Sequence, residues 1–459
     1  MGDGGWMEWW KTVGLKSGTQ LLHYSSEDKV MEKLVSLCKR RGFIFRSSDI
    51  YGGLESTYDY GPLGVELKNN VKQLWWRDVV TSRSDVVGMD ASILMNPKVW
   101  EASGHLSEFH DPMVDCKNCK ARFRADHIDL DKNCPTCGVQ DWTEARQFNL
   151  MLKTHYGPSE DSSSVIYLRP ETAQGIFVNF ANAQSTARMK LPFGVAQIGK
   201  AFRNEITTGN FLFRSREFEQ MEMEFFVHPD ETGNWLEYWS DSRLAWYKNL
   251  GIREDRLKLR PHGDDELAHY AAACFDVEYE FPFGWSELEG IAERGTFDLD
   301  QHAKHSGKKL TWFDSKNNEH ITPAVVEASA GVDRTVLTIL VDAYHEEEVK
   351  GENRVVLRLS PKVAPTTVAV FPLVNRDSMP EIAEKIVESL RGDFAAFFDA
   401  GGSIGRRYRR QDEAGTPYGV TVDSDTLEDQ TVTVRERDTM AQERVAMDQL
   451  PAYFRDKIR

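Results

Sequence analysis

The sequence lacks the short motifs with which many enzymes hold phosphates or form covalent acyl intermediates. It has no GxxxxGK[ST] P-loop, no GxGxxG that opens a helix and no serine nucleophile elbow. A nucleotide bound by this chain must therefore be held mainly by side chains. No apolar run is long enough to cross a bilayer, and the first residues lack the pattern of a signal peptide. We expect a cytoplasmic protein that does not contact membranes.

Basic residues are outnumbered, with 56 Lys and Arg against 72 Asp and Glu and a net charge of −16. This balance argues against a protein that coats nucleic acid non-specifically, because phosphate neutralisation needs clustered cations. One local cluster, residues 406–410 (Arg-Arg-Tyr-Arg-Arg), leaves a nucleic-acid partner open. A solvated charged face or a structural turn with ion pairs are the alternatives. The length of 459 residues indicates two or three globular domains.

Cysteine is scarce, but four of the six cysteines are organised as two CxxC pairs separated by a polar stretch of 14 residues. The four are Cys116, Cys119, Cys134 and Cys137. Two such pairs predict a tetrahedral zinc site whose ligands are all thiolates, with no position left for water, so the metal is structural. Disulfides are the alternative, which an intracellular location disfavours.

Hydrophobic periodicity predicts helices at 28–41, 68–80, 235–250, 333–345 and 379–391, and strands at 165–168, 195–198, 222–226, 367–371, 419–422 and 431–435. The strand at 222–226 alternates acidic and apolar residues, which is typical of a half-buried strand. Around 346–363 the pattern loosens, and we place a domain boundary there. The predicted divisions are an atypical extension (1–25), a main domain (26–362) and an α/β module (363–459).

Arginines and an aromatic residue bracket a strand–loop–strand segment at residues 202–226. Arg203 and Arg214 suit bidentate binding of phosphate, and Phe218 provides a face on which a purine stacks. An ordinary hairpin with surface ion pairs is the alternative. Arg334 falls in the first turn of a predicted helix, where the helix dipole disfavours a cation, so a negative group is expected beside it.

These segments resemble the signature motifs of class II aminoacyl-tRNA synthetases. Residues 60–64 (Tyr-Gly-Pro-Leu-Gly), followed by a helix, resemble motif 1, which carries the dimer interface of the family. Residues 202–205 with their loop and return strand resemble motif 2, and residues 331–334 resemble motif 3. From about residue 28 to 459 the chain resembles the dimeric glycyl-tRNA synthetases, most closely the bacterial form. Further matching stretches are 48–53, 100–105, 169–175 and 290–294.

The resemblance implies an α+β fold. Its parts are a catalytic domain built on an antiparallel sheet with flanking helices, a small zinc-binding insertion at about 112–142 and a C-terminal α/β anticodon-binding domain. It also implies a homodimer that activates glycine with ATP to glycyl-adenylate and transfers it to the 3′ end of tRNA(Gly). The implied cofactors are Mg²⁺ and structural Zn²⁺.

The resemblance assigns Arg203, Glu205 and Arg334 as catalytic residues, because they contact the reacting phosphates or the adenine. Glu287 is the best candidate for orienting Mg²⁺. The full implied ATP site is Arg203, Asn204, Glu205, Phe213, Arg214, Phe218, Glu287, Leu288, Gly331 and Arg334.

Glycine offers only an ammonium and a carboxylate to grip, so its site needs charged groups and close walls that reject larger amino acids. Glu171 and Glu222 match the positions that receive the ammonium. The implied glycine site is Arg124, Glu171, Phe218, Glu222, Glu327 and Ser329.

Two other functions stay open at this point. Some synthetase-like proteins act as binding or regulatory modules without charging tRNA, and others form an aminoacyl-adenylate for a different acceptor. The presence of Arg203, Arg214 and Arg334 argues against the first, and the module at 363–459 argues against the second.

Overall fold

The computed structural model describes residues 26–206, 208–263, 266–267 and 271–458. The extension predicted at 1–25 lies outside the described residues. None of the described helices combines the length and the hydropathy that crossing a membrane requires.

The helices follow the predicted apolar periodicity, with one early start. Pro62 opens α2, where its fixed φ and missing N–H suit the first turn, so the helix begins before the predicted 68–80. The helices are α1 (Ser26–Arg41), α2 (Pro62–Trp76), α3 (Pro97–Ala102), α4 (His105–Glu108), α5 (Ala173–Val178), α6 (Phe180–Ala187), α7 (Thr232–Asn249), α8 (Phe297–Ser306), α9 (Val332–Ala343), α10 (Met379–Leu390), α11 (Ile404–Ala414), α12 (Thr426–Asp429) and α13 (Leu450–Ile458).

The strands lie between these helices, some singly and others in consecutive runs. They are β1 (Ile44–Arg46), β2 (Tyr58–Tyr60), β3 (Val86–Gly88), β4 (His110–Asp115), β5 (Arg122–Arg124), β6 (Arg146–Asn149), β7 (Lys153–His155), β8 (Val165–Tyr167), β9 (Phe193–Phe202), β10 (Glu217–Val227), β11 (Leu257–Pro261), β12 (Ala273–Phe281), β13 (Gly284–Gly295), β14 (Trp312–Asp314), β15 (Glu319–Ile321), β16 (Ala324–Gly331), β17 (Tyr344–Val349), β18 (Glu352–Leu357), β19 (Val368–Pro372), β20 (Ala396–Phe398), β21 (Tyr418–Val422), β22 (Thr431–Glu436) and β23 (Gln442–Ala446).

The largest sheet in the described part of the chain has the strand order β11-β12-β13-β16-β10-β9-β3. Every neighbouring pair is antiparallel except β3 and β9, which are parallel. The register sets Glu222 opposite Ser329, and Ser329 opposite Gly290, on three adjacent strands. The sheet therefore brings residues from distant parts of the sequence into one row.

Helix α9 packs beneath this sheet together with α2 and α7. Its side chains Val336, Leu337 and Leu340 are fully buried. Burying an aliphatic side chain of this size contributes about 1.5–3 kcal/mol, so the helix is firmly held. Arg334, in its first turn, is thereby fixed relative to the sheet.

The C-terminal part folds around a separate hydrophobic core that includes Val370, Val420 and Phe454. Its sheet has the order β20-β19-β21-β22-β23. β20 and β21 run parallel to β19, whereas the β21–β22 and β22–β23 pairs are antiparallel. Helix α10 packs on β19, β20 and β21.

Three details of local structure differ from what the sequence pattern indicates. The region at 346–363, where the apolar pattern loosens, contains a regular hairpin of β17 and β18 around the left-handed residues Lys350 and Gly351. The strand at 222–226 is buried on both faces and not on one, and its acidic residues Glu222 and Glu224 are 2% and 0% exposed. The basic cluster at 406–410 lies on helix α11, not on a turn.

Candidate active site

Most of the predicted ATP and glycine residues line one cavity of about 420 Å³ on the large sheet. Acidic side chains and arginines both face this space. The predicted residues that line it are Glu171, Arg203, Glu205, Phe213, Arg214, Phe218, Glu222, Glu287, Glu327, Ser329, Gly331 and Arg334.

Asn204 and Leu288 are predicted ATP residues whose side chains do not line the cavity. The backbone N–H of Asn204 donates to the carbonyl of Leu150 over 2.8 Å. Leu288 is 1% exposed and belongs to the core, because strand side chains alternate and its neighbour Glu287 faces the cavity.

Arg124, predicted for the glycine site, also lies outside the cavity lining. It projects from β5, next to the cysteine pairs, and forms ion pairs with Asp111 (3.0 Å) and Asp126 (2.7 Å). Asp126, Asp111 and Glu205 raise the pKa of Arg124 against the effect of burial, and Glu205 is a residue of the cavity wall.

Glu222 is the centre of the acidic end of the cavity. One carboxylate oxygen accepts a hydrogen bond from the Ser329 hydroxyl over 2.7 Å, and the other accepts one from the Thr172 hydroxyl. The Gln220 amide donates to the same Ser329 oxygen over 3.3 Å. These contacts fix the carboxylate, which is 2% exposed, in one orientation.

Glu171 supplies a second carboxylate at this end. His105 Nε2 lies 3.4 Å from one of its oxygens, and the Gln174 amide donates to the other over 3.0 Å. Although burial opposes ionisation, the nearby His105 and Arg294 hold the pKa of Glu171 below its ordinary value. Glu171 is therefore a charged acceptor at neutral pH.

Burial, reinforced by the negative charges of Glu327 and Glu171, raises the pKa of Glu222 to about 8. Burial also raises the pKa of Glu327, against the opposing effect of Arg294. The pKa of Glu224, the next acidic residue of β10, is raised well above its usual value by burial and by Glu327. Such a cluster favours a bound cation, because an added positive charge relieves the repulsion.

Arg294 is a site residue to which the sequence prediction gave no role. Its guanidinium donates to Glu327 over 2.7 Å and to both oxygens of Asp298, over 2.8 and 3.0 Å. The bidentate pair fixes its plane, and the contact with Glu327 balances part of the negative charge. Its position at the end of the matching stretch 290–294 was the available signal.

Arg203 lies at the cationic end of the cavity. Its Nε donates to the carbonyl of Pro170 over 3.0 Å, and its guanidinium carbon lies 5.4 Å from the Phe109 ring centre and 5.3 Å from that of Phe218. Both distances are typical of cation–π contacts. Among the described residues no hydrogen-bond partner occupies the other guanidinium nitrogens, which can therefore bind an anion in the cavity.

Arg334 has the negative neighbour that its helix position requires. Its Nη1 lies 3.2 Å from a carboxylate oxygen of Glu287, and its Nε donates to the carbonyl of Phe213 over 3.1 Å. Although burial opposes ionisation, Arg334 lowers the pKa of Glu287. The pair thus places a cation and an ionised carboxylate side by side at the cavity wall.

His262, Cys274 and Asp276 form a further part of the wall that sequence reasoning missed. His262 Nε2 lies 2.7 Å from an Asp276 oxygen. Burial and the nearby Glu287 raise the pKa of Asp276. No short motif signals these residues, since strand pairing brings them together.

A network behind the cavity joins the predicted motifs 1, 2 and 3. Asp333 accepts hydrogen bonds from the Tyr60 hydroxyl (2.5 Å), the Lys68 ammonium (3.0 Å) and the backbone N–H of Glu219 (2.7 Å). Lys68 also pairs with the Glu219 carboxylate at 3.0 Å. Helix α2 therefore braces the residue that precedes Arg334.

The four predicted zinc ligands converge beside the three-stranded β5-β4-β6 sheet. All four sulfurs lie within 4.8 Å of one another. Those of Cys116 and Cys137 are 3.6 Å apart, and those of Cys119 and Cys134 are 3.8 Å apart. Sulfurs at tetrahedral corners 2.3 Å from zinc lie about 3.8 Å apart, so the arrangement fits the metal.

The sequence profile of the tRNA synthetase class II core domain (G, H, P, S and T) matches residues 156–343. That of the anticodon binding domain matches residues 367–457. With the cavity that the core surrounds, these matches define a class II aminoacyl-tRNA synthetase.

Full-length relatives identify the particular family. The glycine–tRNA ligase of Borreliella burgdorferi is 55% identical over 433 residues, 93% of this chain and 97% of that protein. Those of Treponema denticola and Streptomyces coelicolor are 54% and 52% identical, each over 94% of this chain and over 97% and 99% of theirs. The chain belongs to the glycine–tRNA ligase family. The predicted resemblance and fold class are confirmed.

Proposed function

We propose that this chain is a glycine–tRNA ligase of the cytoplasm. It activates glycine with ATP to glycyl-adenylate and pyrophosphate, and then transfers the glycyl group to the 3′ end of tRNA(Gly). The observation that carries this proposal is one cavity with carboxylates around Glu222, in the middle of β10, and with Arg203 and Arg334 beyond the adjacent ends of β9 and β16. Carboxylates that suit an ammonium lie at one end, and arginines that suit phosphates lie at the other.

Glycine binds at the acidic end in this proposal. Its ammonium is received by Glu171 and Glu222, with Ser329 and Glu327 completing the wall, and its carboxylate points towards Arg203. Buried carboxylates that already have hydrogen-bonded partners need little reorganisation when the ammonium arrives. Larger amino acids are rejected because the fixed side chains leave no room for an added methyl group.

ATP binds at the arginine end. Arg203 stabilises the charge that develops as the glycine carboxylate attacks the α-phosphate, while Arg214 and Arg334 hold the outer phosphates. Adenine stacks on Phe218, and its amino group donates a hydrogen bond to the carboxylate of Glu205. Class II synthetases use Mg²⁺ with ATP, and Glu287 is the carboxylate here that suits the ion. Catalysis then consists of positioning and charge stabilisation, without a covalent nucleophile.

The module predicted at 363–459 binds the anticodon part of tRNA in this proposal. Of the basic cluster on α11, Arg406 is exposed, whereas Arg407 is 2% exposed and donates to the carbonyls of Ala400 and Gly402. Arg410 pairs with Asp399. Arg406 is therefore the member of the cluster best placed to meet RNA.

We also propose that the enzyme is a homodimer. Apolar side chains around the motif 1 region are unusually exposed, at 88% for both Ile50 and Tyr51 and 59% for Leu54. Phe45 and Val65, in the same region, are 37% and 40% exposed. An exposed apolar group of this extent supports a protein interface, and the family uses motif 1 to dimerise.

Glycine-dependent exchange between ATP and pyrophosphate tests the activation step. We expect exchange with glycine, and with alanine or serine a rate lower by at least about 100-fold, because the added side chain clashes with a rigid wall. Charging of tRNA(Gly) then tests the second step. Exchange without charging would favour a different acceptor, and no exchange with glycine would leave only a binding or regulatory role.

We propose that Cys116, Cys119, Cys134 and Cys137 hold one structural zinc ion. Metal analysis of the purified protein should find about one zinc per chain, as expected for four thiolates. Cys116→Ser should lower the zinc content and make residues 112–142 sensitive to protease, because metal binding and folding are coupled in such sites. Cys38→Ala, at a buried cysteine of helix α1 that lies outside the cysteine cluster and the cavity, is the control for zinc content. A Cys116→Ser protein that keeps its full zinc content would contradict the four-sulfur site.

A further inference from the structure

A buried arginine links the two regions that match family profiles. Residues 344–366 lie between those regions and contain the β17–β18 hairpin. Arg354, on β18, has a side chain that is 0% exposed, and its Nε lies 2.9 Å from an Asp412 oxygen on α11 of the C-terminal module. The contact therefore joins the connecting segment to the C-terminal module, and Leu357 and Leu359 of the same segment lie in the core of the catalytic part.

The remaining donors of Arg354 are also used. Its Nη2 donates to the carbonyl of Arg437, in the turn after β22, over 2.6 Å, and its Nη1 pairs with Glu347 on the neighbouring strand. Asp412 in turn accepts from Arg435, on β22, over 3.1 Å. One guanidinium thus joins the hairpin to both a helix and a sheet of the second module.

Charged groups buried in this way restrict geometry more than they add stability. Desolvation offsets much of the attraction between buried ions, but a shifted partner leaves a charge without compensation. Arg354 is fully buried and Asp412 is 2% exposed on its side chain, so a small rotation of the module breaks a directional contact. Exposed pairs nearby, such as Lys33 with Glu346, restrict geometry far less.

Close packing supports the same restriction. A Cβ atom at Gly415, which ends α11 with a φ of 78°, would lie 2.5 Å from Cδ1 of Leu359. The backbone of the module therefore lies directly against the segment that follows the hairpin. Arg437 Nη1 donates to the carbonyl of Gly415 over 2.7 Å and holds that turn in place.

We propose that Arg354 is a positioning residue that fixes the C-terminal module relative to the catalytic cavity, so that a tRNA held at its anticodon delivers its 3′ end to the active site. The proposal rests on the proposed tRNA-charging function. Two linked sites that engage one ligand gain affinity because the second contact is intramolecular, and the gain disappears when their geometry does not match the ligand. Arg354 maintains that match without touching either substrate.

Arg354→Met tests the proposal, because methionine fills much of the volume and removes the charge and the donors. We expect kcat/KM for full-length tRNA(Gly) to fall by about tenfold or more, mainly through KM, because the linked gain is lost. Glycine-dependent pyrophosphate exchange should stay at the wild-type rate. Asp412→Asn should likewise lower kcat/KM for tRNA(Gly) while leaving pyrophosphate exchange unchanged. The kcat/KM of Arg354→Lys should lie between those of the wild type and Arg354→Met.

Lys33→Met is the matched control, since Lys33 lies on α1, outside the C-terminal module, and forms an exposed ion pair with Glu346 of the same hairpin. It should leave both reactions unchanged. Amide hydrogen exchange of β19–β23 reports whether the module itself stays folded. Unchanged charging by Arg354→Met would overturn the proposal, as would an equal loss of pyrophosphate exchange or faster amide exchange throughout the module. A wild-type enzyme that charges no tRNA would instead refute the proposed function, and this inference with it.

Discussion

Arg203→Ala should reduce glycine-dependent pyrophosphate exchange by about 10³-fold or more, as expected for an arginine that neutralises transferring phosphate. The expected loss is large because Arg203 is placed between Phe109 and Phe218 with a fixed plane and no carboxylate partner among its described contacts. Among the described residues, its positive charge is offset only by more distant carboxylates such as Glu287 before ATP arrives. The effect should appear mainly in kcat, since the charge develops in the transition state.

The fold should survive this change. The Arg203 side chain makes one described hydrogen bond, to the backbone carbonyl of Pro170, and lies at the cavity wall and not in the core. Circular dichroism and the melting temperature should match those of the wild type. Arg444→Ala, on the C-terminal module, controls for loss of a cation elsewhere and should keep full exchange activity. Exchange by Arg203→Ala within about tenfold of wild type would contradict the assigned role.

The cationic end of the cavity could be predicted from sequence because its signal is local. Arg203, Arg214 and Phe218 lie within one strand–loop–strand segment, and strand geometry places such residues at a common edge. Arg334 was distinguished by a helix-dipole argument that needs only the chain position of a helix. The structure provides the expected negative group in Glu287.

The acidic end could be predicted only in part, because it depends on pairing between strands that are far apart in sequence. Glu222 and Ser329 are 107 residues apart and become partners through the β10–β16 register. Arg294 and Asp298, which hold Glu327 in place, have no period or spacing that signals their roles. Leu288 was assigned by position alone, which does not indicate the face of a strand, and its side chain lies in the core on the opposite face from Glu287.

Glu222→Gln should raise the glycine KM by about 100-fold, because a charge-assisted hydrogen bond to the ammonium contributes about 1.5–3 kcal/mol. The KM for ATP should change little, since Glu222 lies at the acidic end and contacts Thr172 and Ser329. Glutamine keeps the size of the side chain and one acceptor oxygen, which can serve the hydroxyl of either Thr172 or Ser329. Glu217→Gln is the matched control, because Glu217 lies on the same strand with an exposed side chain.

The pH dependence of glycine binding separates a charged role for Glu222 from a steric one. Because burial and neighbouring carboxylates raise the pKa of Glu222 to about 8, the free enzyme holds a proton there at pH 6.5. Binding the glycine ammonium requires that proton to leave, so KM should fall as the pH rises towards 8. A single released proton gives about a tenfold fall per pH unit well below the pKa.

Glu222→Gln should abolish this slope while keeping its high KM, because glutamine does not titrate. Initial rates of exchange at varied glycine between pH 6 and 8.5 measure both effects, with the KM for ATP followed in parallel. A variant that retains the wild-type slope would assign the titration to another member of the cluster, such as Glu327, whose pKa burial also raises. A wild-type KM independent of pH would show instead that Glu222 is already ionised before glycine binds.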